Sequence, residues 1–302
     1  MREHGLRVAM PDRVIEARVD VVDDVRRLDL HADDVLVLAT KSQDTVAILD
    51  GIVALDGPGA ATTSLPVVCM QNGVANERMA LRRFARVYGC VVMLPAVLLD
   101  PGRIDAQGTP YSGLLDLGVA PDGCDATAEH IAADLSGCGF VSRAVPDIMR
   151  WKYAKLLRNL GNSIEALCGH DLDDTDLKTV LDLDERMKDE ATRAFRAAGI
   201  GWTSDEEWKE RRQRSVEHAP VEGRGRVGGS SWQSLARGSG SIEADHLNGE
   251  IVLLGRLHAV ATPVNGLLQR EANRAARSGA PVGALRVSAL MDALAADEGT
   301  TS

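Results

Sequence analysis

Aromatic side chains make up only 3% of this 302-residue chain, and its formal net charge is −10. Few rings and a surplus of carboxylates leave little with which to stack bases or neutralise a phosphate backbone, which argues against nucleic-acid binding. Long apolar runs are also lacking. The longest, Val91–Leu99, is broken by Pro95 and falls far short of the roughly 20 residues that a membrane helix needs. The opening residues, Met1-Arg2-Glu3-His4-Gly5-Leu6, carry no apolar signal-peptide region. The five cysteines (69, 90, 124, 138 and 168) are odd in number and contain no C-x-x-C pair. That pattern disfavours zinc and a disulfide framework and points to a reducing cytoplasm. The seven histidines make no ligand pair at helical spacing, so no metal is expected. Neither a G-x-S-x-G elbow nor a P-loop occurs.

What remains is an ordinary globular composition, 45% apolar and 26% charged, on a chain long enough for two domains. Asp33–Thr40 and Pro66–Met70 are short continuous apolar runs, read as strands buried on both faces of a parallel sheet. Each stops at a polar loop, Lys41-Ser42-Gln43-Asp44 and Gln71-Asn72-Gly73. Helical patterns at Thr45–Leu55, Asn76–Tyr88 and Thr127–Leu135 alternate with strand-like Gly89–Leu94 and Gly137–Val145. The second half reads as helix over Ile148–Leu167, Asp176–Ala198, Asp205–Glu217, Ile242–His258 and Val264–Ala276. Between them Pro220–Gly240 reads as a mobile loop or gate, and the last ten or so residues as a frayed end. The expectation is α/β: an incomplete Rossmann-type doubly wound sheet over residues 1–146, then an all-α domain over 147–302.

Three places could carry chemistry. On Trp151–Leu167, Tyr153, Leu156, Leu157, Leu160, Ile164 and Leu167 make an apolar stripe, and Lys155, Asn159 and Asn162 a polar one. On a continuous helix the two asparagines lie about 40° and about 20° to either side of Lys155, so the three could hold one small polar ligand; a solvated face is the plainer reading. Gln71-Asn72-Gly73 is equally a turn, since Asn-Gly tolerates positive φ. Yet it and Lys41 stand at adjacent strand ends, where parallel sheets bind ligands. Glu243 opens a helix, a position the dipole already favours, and Ser230 and Ser231 serve equally as caps or loop residues. Gly223-Arg224-Gly225-Arg226-Val227-Gly228 satisfies G-x-G-x-x-G, but it follows a charged helix instead of a strand and is rejected as a cofactor loop.

Taken together, VLATKSQDT (37–45), VVCMQNGVANE (67–77), WKYAKLLRNLGN (151–162), SSWQSLARGSGSIEADHLNGEIVLLG (230–255) and ATPVN (261–265) resemble the ketopantoate reductase family, in its order and over nearly the whole chain. The resemblance implies hydride transfer from NADPH to the carbonyl of a small 2-keto acid. It assigns Lys155 as the catalytic lysine and Asn159 as its neighbour in the substrate pocket. Asn72 would lie between nicotinamide and substrate, with Gln71 in the same cofactor loop and Lys41 close by. Glu243 and one of Ser230 or Ser231 would hold the substrate's ends. A homodimer is implied by resemblance only.

Two departures follow from the same resemblance. The family carries a second Asn eight residues after its lysine, where this chain has Ser163; Asn162 beside it is the expected substitute, or the substrate differs. The family also places a strand, a glycine-rich turn, a helix and a second strand, roughly 40 residues, before the segment matching Arg2–Val8. The expectation is a start codon set too late, with apolar strand edges exposed and NADPH bound weakly by the chain as it stands. The alternatives are a non-catalytic relative and a related dehydrogenase acting on another hydroxy acid.

Overall fold

Strands of three to seven residues dominate the first half and helices the second, in a computed structural model that describes residues 1–55, 62–213, 216–221 and 228–300. In chain order the elements are β1 (Leu6–Ala9), β2 (Val14–Ala17), β3 (Leu36–Leu38), α1 (Thr45–Val53), β4 (Val67–Cys69), α2 (Asn76–Ala80) and β5 (Val87–Met93). There follow β6 (Ala96–Asp100), β7 (Arg103–Ala106), β8 (Gly108–Pro110), β9 (Leu114–Val119), α3 (Ala126–Gly137) and α4 (Ile148–Asn159). Then come α5 (Asn162–Cys168), α6 (Asp174–Ala197), α7 (Asp205–Arg212) and β10 (Val216–His218). The chain closes with α8 (Ser230–Ala236), α9 (Asn248–Leu257), α10 (Pro263–Ser278) and α11 (Val287–Thr300).

Contacts divide the chain into two units, Met1–Ala154 with Trp202–Arg226 and Lys155–Gly201 with Val227–Ser302. This differs from a single cut at residue 146. The first unit keeps α4 as far as Ala154 and takes back the segment from Trp202, for physical reasons. Trp208 of α7 packs on Trp151 at 6.1 Å between ring centroids, and Arg211 makes two 2.6 Å bonds to the buried Asp116 of β9. Val216–His218, expected as the end of a helix, instead pairs antiparallel with β8.

In the first unit β3, β4 and β5 run parallel and β9 adds antiparallel, in the order β3-β4-β5-β9. Every β4 residue is buried, as expected of a central parallel strand. β3 departs from that reading: it is the edge strand, with Leu36 and Leu38 inside and Val37 half exposed. Leu36, Leu38, Leu49, Ile52, Val67 and Phe84 form the core on one side. Val68, Tyr88, Leu115, Leu117 and Ala128 form that on the other. A second sheet runs β2-β1-β7-β6. Asn76–Tyr88 proves to be one short helix followed by the start of β5, and Gly137–Val145 makes only isolated bridges, Leu114 to Val141 and Leu117 to Ala144.

The second unit is helical throughout its described residues. α6 starts where the Asp173 side chain accepts from the Thr175 and Asp176 amides, and its Leu183, Met187, Ala191 and Ala194 form the buried stripe. α10 begins with Pro263 in its first turn and ends at Gly279 in the left-handed conformation. The expected loop at Pro220–Gly240 contains α8, and the expected frayed end is α11 as far as Thr300. The helix expected over Ile242–His258 is a 3-10 turn, Glu243–His246, followed by α9. Residues 223–227 of the rejected G-x-G-x-x-G lie outside the described residues.

Candidate functional site

Because β3 and β4 are parallel neighbours, their polar loops emerge at the same sheet end. Lys41 follows β3, and Gln71 and Asn72 follow β4. The two loops are joined directly: Gln71 Nε2 donates to Thr40 O at 2.9 Å and to Thr45 Oγ1 at 2.9 Å. Thr45 Oγ1 donates to Asn76 Oδ1 at 2.9 Å, and Asn76 Nδ2 donates to Ser42 Oγ and to Asn72 O, both at 3.1 Å. Since a carbonyl can only accept, the first bond fixes the orientation of the Gln71 amide, and the chain of donors fixes that of Asn76. Gln71, Thr45, Ser42 and Asn76 are buried, while Lys41 and Asn72 are half-buried. Gln71 Oε1 is buried without a hydrogen-bond partner.

Beneath this loop lies a buried ion pair. Lys152 Nζ stands 2.8 Å from Glu77 Oε1, with both side chains 2% exposed. It also donates to Gln71 O at 2.8 Å and to Cys90 O at 3.1 Å. A Cβ on Gly89 would come within 3.2 Å of Lys152 Cδ and 3.4 Å of Glu77 Oε1, so β5 leaves out a side chain where the pair lies. Burial pushes the Cys90 thiol up to about 12, with the nearby Lys152 charge pulling it down only in part.

The second unit carries the remaining candidates. Lys155 and Asn159 lie on α4, half-buried and buried respectively. The continuous helix expected through Leu167 breaks at Leu160-Gly161, and α5 restarts with the amides of Ile164 and Glu165 on Gly161 O. The angular placement of Asn162 beside Lys155 therefore does not carry over. Asn162 instead belongs to a cluster at the start of α8: Glu165 Oε2 accepts from the Gly229 amide at 2.9 Å. A Cβ on Gly229 would lie 2.7 Å from that oxygen and 3.7 Å from Asn162 Oδ1. Ser230 and Ser231 open α8 beside this contact, and Ser231 is buried. Glu243 is buried at the head of its 3-10 turn.

Ser163, at the position of the second family asparagine, is 1% exposed and donates to Asn248 Oδ1 at 2.6 Å. Asn248 Nδ2 in turn donates to Leu160 O at 3.3 Å, the carbonyl at the helix break, and to Asn265 Oδ1 at 3.1 Å. Sequence reasoning passed over Thr45, Asn76, Glu77, Lys152, Glu165 and Asn248. One signal was present for Lys152. It stands four residues from both Ile148 and Leu156, so it occupies the apolar stripe, where a charge requires a buried partner.

Among the described residues no group of three or more His, Cys, Asp or Glu side chains could hold a metal ion. No helix among them is long and apolar enough to cross a membrane.

The fold and the strand-end loops define a two-part architecture, a Rossmann-like α/β unit and an all-helical unit. Two family descriptions match it in that order: "Ketopantoate reductase PanE/ApbA" over residues 1–121 and its C-terminal counterpart over residues 147–275. The chain belongs to the ketopantoate reductase family. A 2-dehydropantoate 2-reductase of Archaeoglobus fulgidus is 28% identical over 243 residues, 78% of this chain and 74% of that one. One from Pyrococcus horikoshii is 27% identical over 126 residues, 42% of this chain and only 39% of the relative. Among solved structures, a D-mandelate dehydrogenase described as a ternary structure with NADH and anilino(oxo)acetate superposes with a TM-score of 0.72 at 21% identity, covering 92% of this chain and 87% of that one.

Proposed function

We propose that this chain is an NADPH-dependent reductase of a small 2-keto acid, forming the corresponding 2-hydroxy acid. The observation that carries the reading is the pair of interlocked polar loops at the ends of two parallel strands, the place where such sheets take nucleotides. Membership of the ketopantoate reductase family and the curated names of its relatives support it. The loops suit the nicotinamide end of a dinucleotide. Lys41 and Asn72 are half-buried polar groups there, and Gln71 Oε1 is an acceptor not satisfied from within the protein. Reduced nicotinamide, when bound, supplies a hydride to the carbonyl carbon of the substrate.

The residues of the chain then have three tasks. Lys155 donates the proton that the carbonyl oxygen needs as negative charge develops on it. Asn159 orients the same oxygen. Asn162, Glu243 and one of Ser230 or Ser231 hold the carboxylate and the hydroxyl-bearing end of the substrate, with Asn72 between nicotinamide and substrate.

A second reading keeps this chemistry and changes the acid, and Ser163 favours it. Its hydroxyl is committed to Asn248, so it does not stand in for the second family asparagine. The test is a panel of 2-keto acids, including ketopantoate and an aryl 2-keto acid, incubated with NADPH or NADH while reduced-nicotinamide absorbance is followed. We expect saturable oxidation with at least one acid. Absence of both turnover and cofactor binding across the panel would contradict the proposal in favour of a non-catalytic relative.

A further inference from the structure

We infer that Lys152 is a positioning residue which, together with Asn76, holds both peptide planes flanking Asn72 and so sets where the Asn72 side chain stands. The inference rests on the reading of Asn72 given above.

A trans peptide is planar, with its C=O and N–H on opposite sides, so fixing one group fixes the other. The Gln71–Asn72 peptide is held by Lys152 Nζ on Gln71 O at 2.8 Å. The Asn72–Gly73 peptide is held by Asn76 Nδ2 on Asn72 O at 3.1 Å. Gly73, with φ 78°, then turns the chain in a conformation that other residues rarely adopt. With both planes held, the direction of the Asn72 Cα–Cβ bond has little freedom left. The Asn76 amide is fixed in this orientation because Asn72 O can only accept, which leaves its Oδ1 to accept from Thr45 Oγ1.

Lys152 Nζ donates to Gln71 O and to Cys90 O, and it is ion-paired with Glu77 Oε1. Packing alone does not call for such a pair, since apolar residues often replace a buried ion pair at no cost in stability. What apolar residues could not do is donate to Gln71 O. Glu77 places a carboxylate 2.8 Å from Lys152 Nζ at 2% exposure, and Gly89 leaves the space.

The test compares wild type, Lys152→Met/Glu77→Gln and Asn72→Ala, with Lys152→Met/Glu77→Leu as the apolar alternative should the first pair variant not fold. Backbone ¹⁵N relaxation is the readout independent of activity. The order parameters of Asn72 and Gly73 should fall from about 0.85 in wild type to below about 0.6 in the pair variant, while β4 and β5 keep theirs. Unchanged values at Asn72 and Gly73, or an equal loosening of the two strands, would overturn the inference. In turnover, the pair variant should lose about tenfold or more in kcat, and adding Asn72→Ala to it should cost nothing further. Additive losses would again overturn it. If Asn72→Ala alone keeps full turnover while the order parameters fall, the positioning role stands and the proposed role of Asn72 fails.

Discussion

At the scale of single residues, burial decides what each group can do. Cys90 is wholly enclosed and its thiol is pushed up to about 12. Cys168 is pushed up to about 11 and Cys69 well above its ordinary value, in each case mainly by burial. Only the thiolate reacts, and these three thiols are both shielded and protonated. Cys124 and Cys138 are exposed. A thiol reagent at mildly alkaline pH should therefore modify two of the five cysteines in the native protein and all five after unfolding. Rapid native labelling of Cys69 or Cys90 would contradict the burial described. The sequence could not separate these cysteines, because their burial depends on strand pairing. Lys152 shows a different limit. Its place on the apolar stripe announced that it was buried, but its partner lies 75 residues away at Glu77, and no local pattern names that pairing.

At the scale of elements, the strands that carry the two polar loops were legible and the helix boundaries were less so. VLVL and PVVC are short, apolar and followed by polar loops, which left few other readings for β3 and β4. The stretch Trp151–Leu167 kept helical periodicity across a real break, because Gly161 interrupts the helix without disturbing the spacing of Leu156, Leu160 and Ile164. What stabilises the break is a long-range group, Asn248, donating to Leu160 O. The start of α10 is held in a similar way. Glu190 accepts from the Val264 and Asn265 amides at 2.9 and 3.0 Å and from Asn265 Nδ2 at 2.8 Å.

Burial nonetheless raises the Glu190 carboxyl above its ordinary value, with those hydrogen bonds offsetting it only in part. A raised folded value means that the folded protein holds the proton more tightly. This contribution to stability is full below the unfolded value, about 4.3, and is lost as pH rises through the raised folded value. The melting temperature of wild type relative to Glu190→Gln should accordingly fall as pH is raised from about 4 to about 7. A flat difference, or one of opposite sign, would contradict this.

At the scale of the whole molecule, an α/β beginning and a helical continuation were evident from the change of periodicity, and the C-terminal family description begins at residue 147, while grouping by contacts divides the chain differently. Trp202–Arg226 returns to the first unit through Trp208, Arg211 and β10. None of those contacts has a local signature, and a break at Pro146-Asp147 was the more visible punctuation. The candidate residues show the same contrast. Gln71-Asn72-Gly73 and the Lys155-x-x-x-Asn159 spacing could be read directly, whereas the residues that hold the loop in place come from Thr45, Asn76 and Lys152 and emerge only on folding.

The central claim is that Lys155 is the proton donor in reduction of a 2-keto acid. Its most direct test is Lys155→Ala, with turnover on the best acid of the panel measured alongside cofactor binding by nicotinamide fluorescence. The account predicts a loss of about 10²-fold or more in kcat with cofactor affinity essentially kept. Retained turnover in Lys155→Ala would contradict it.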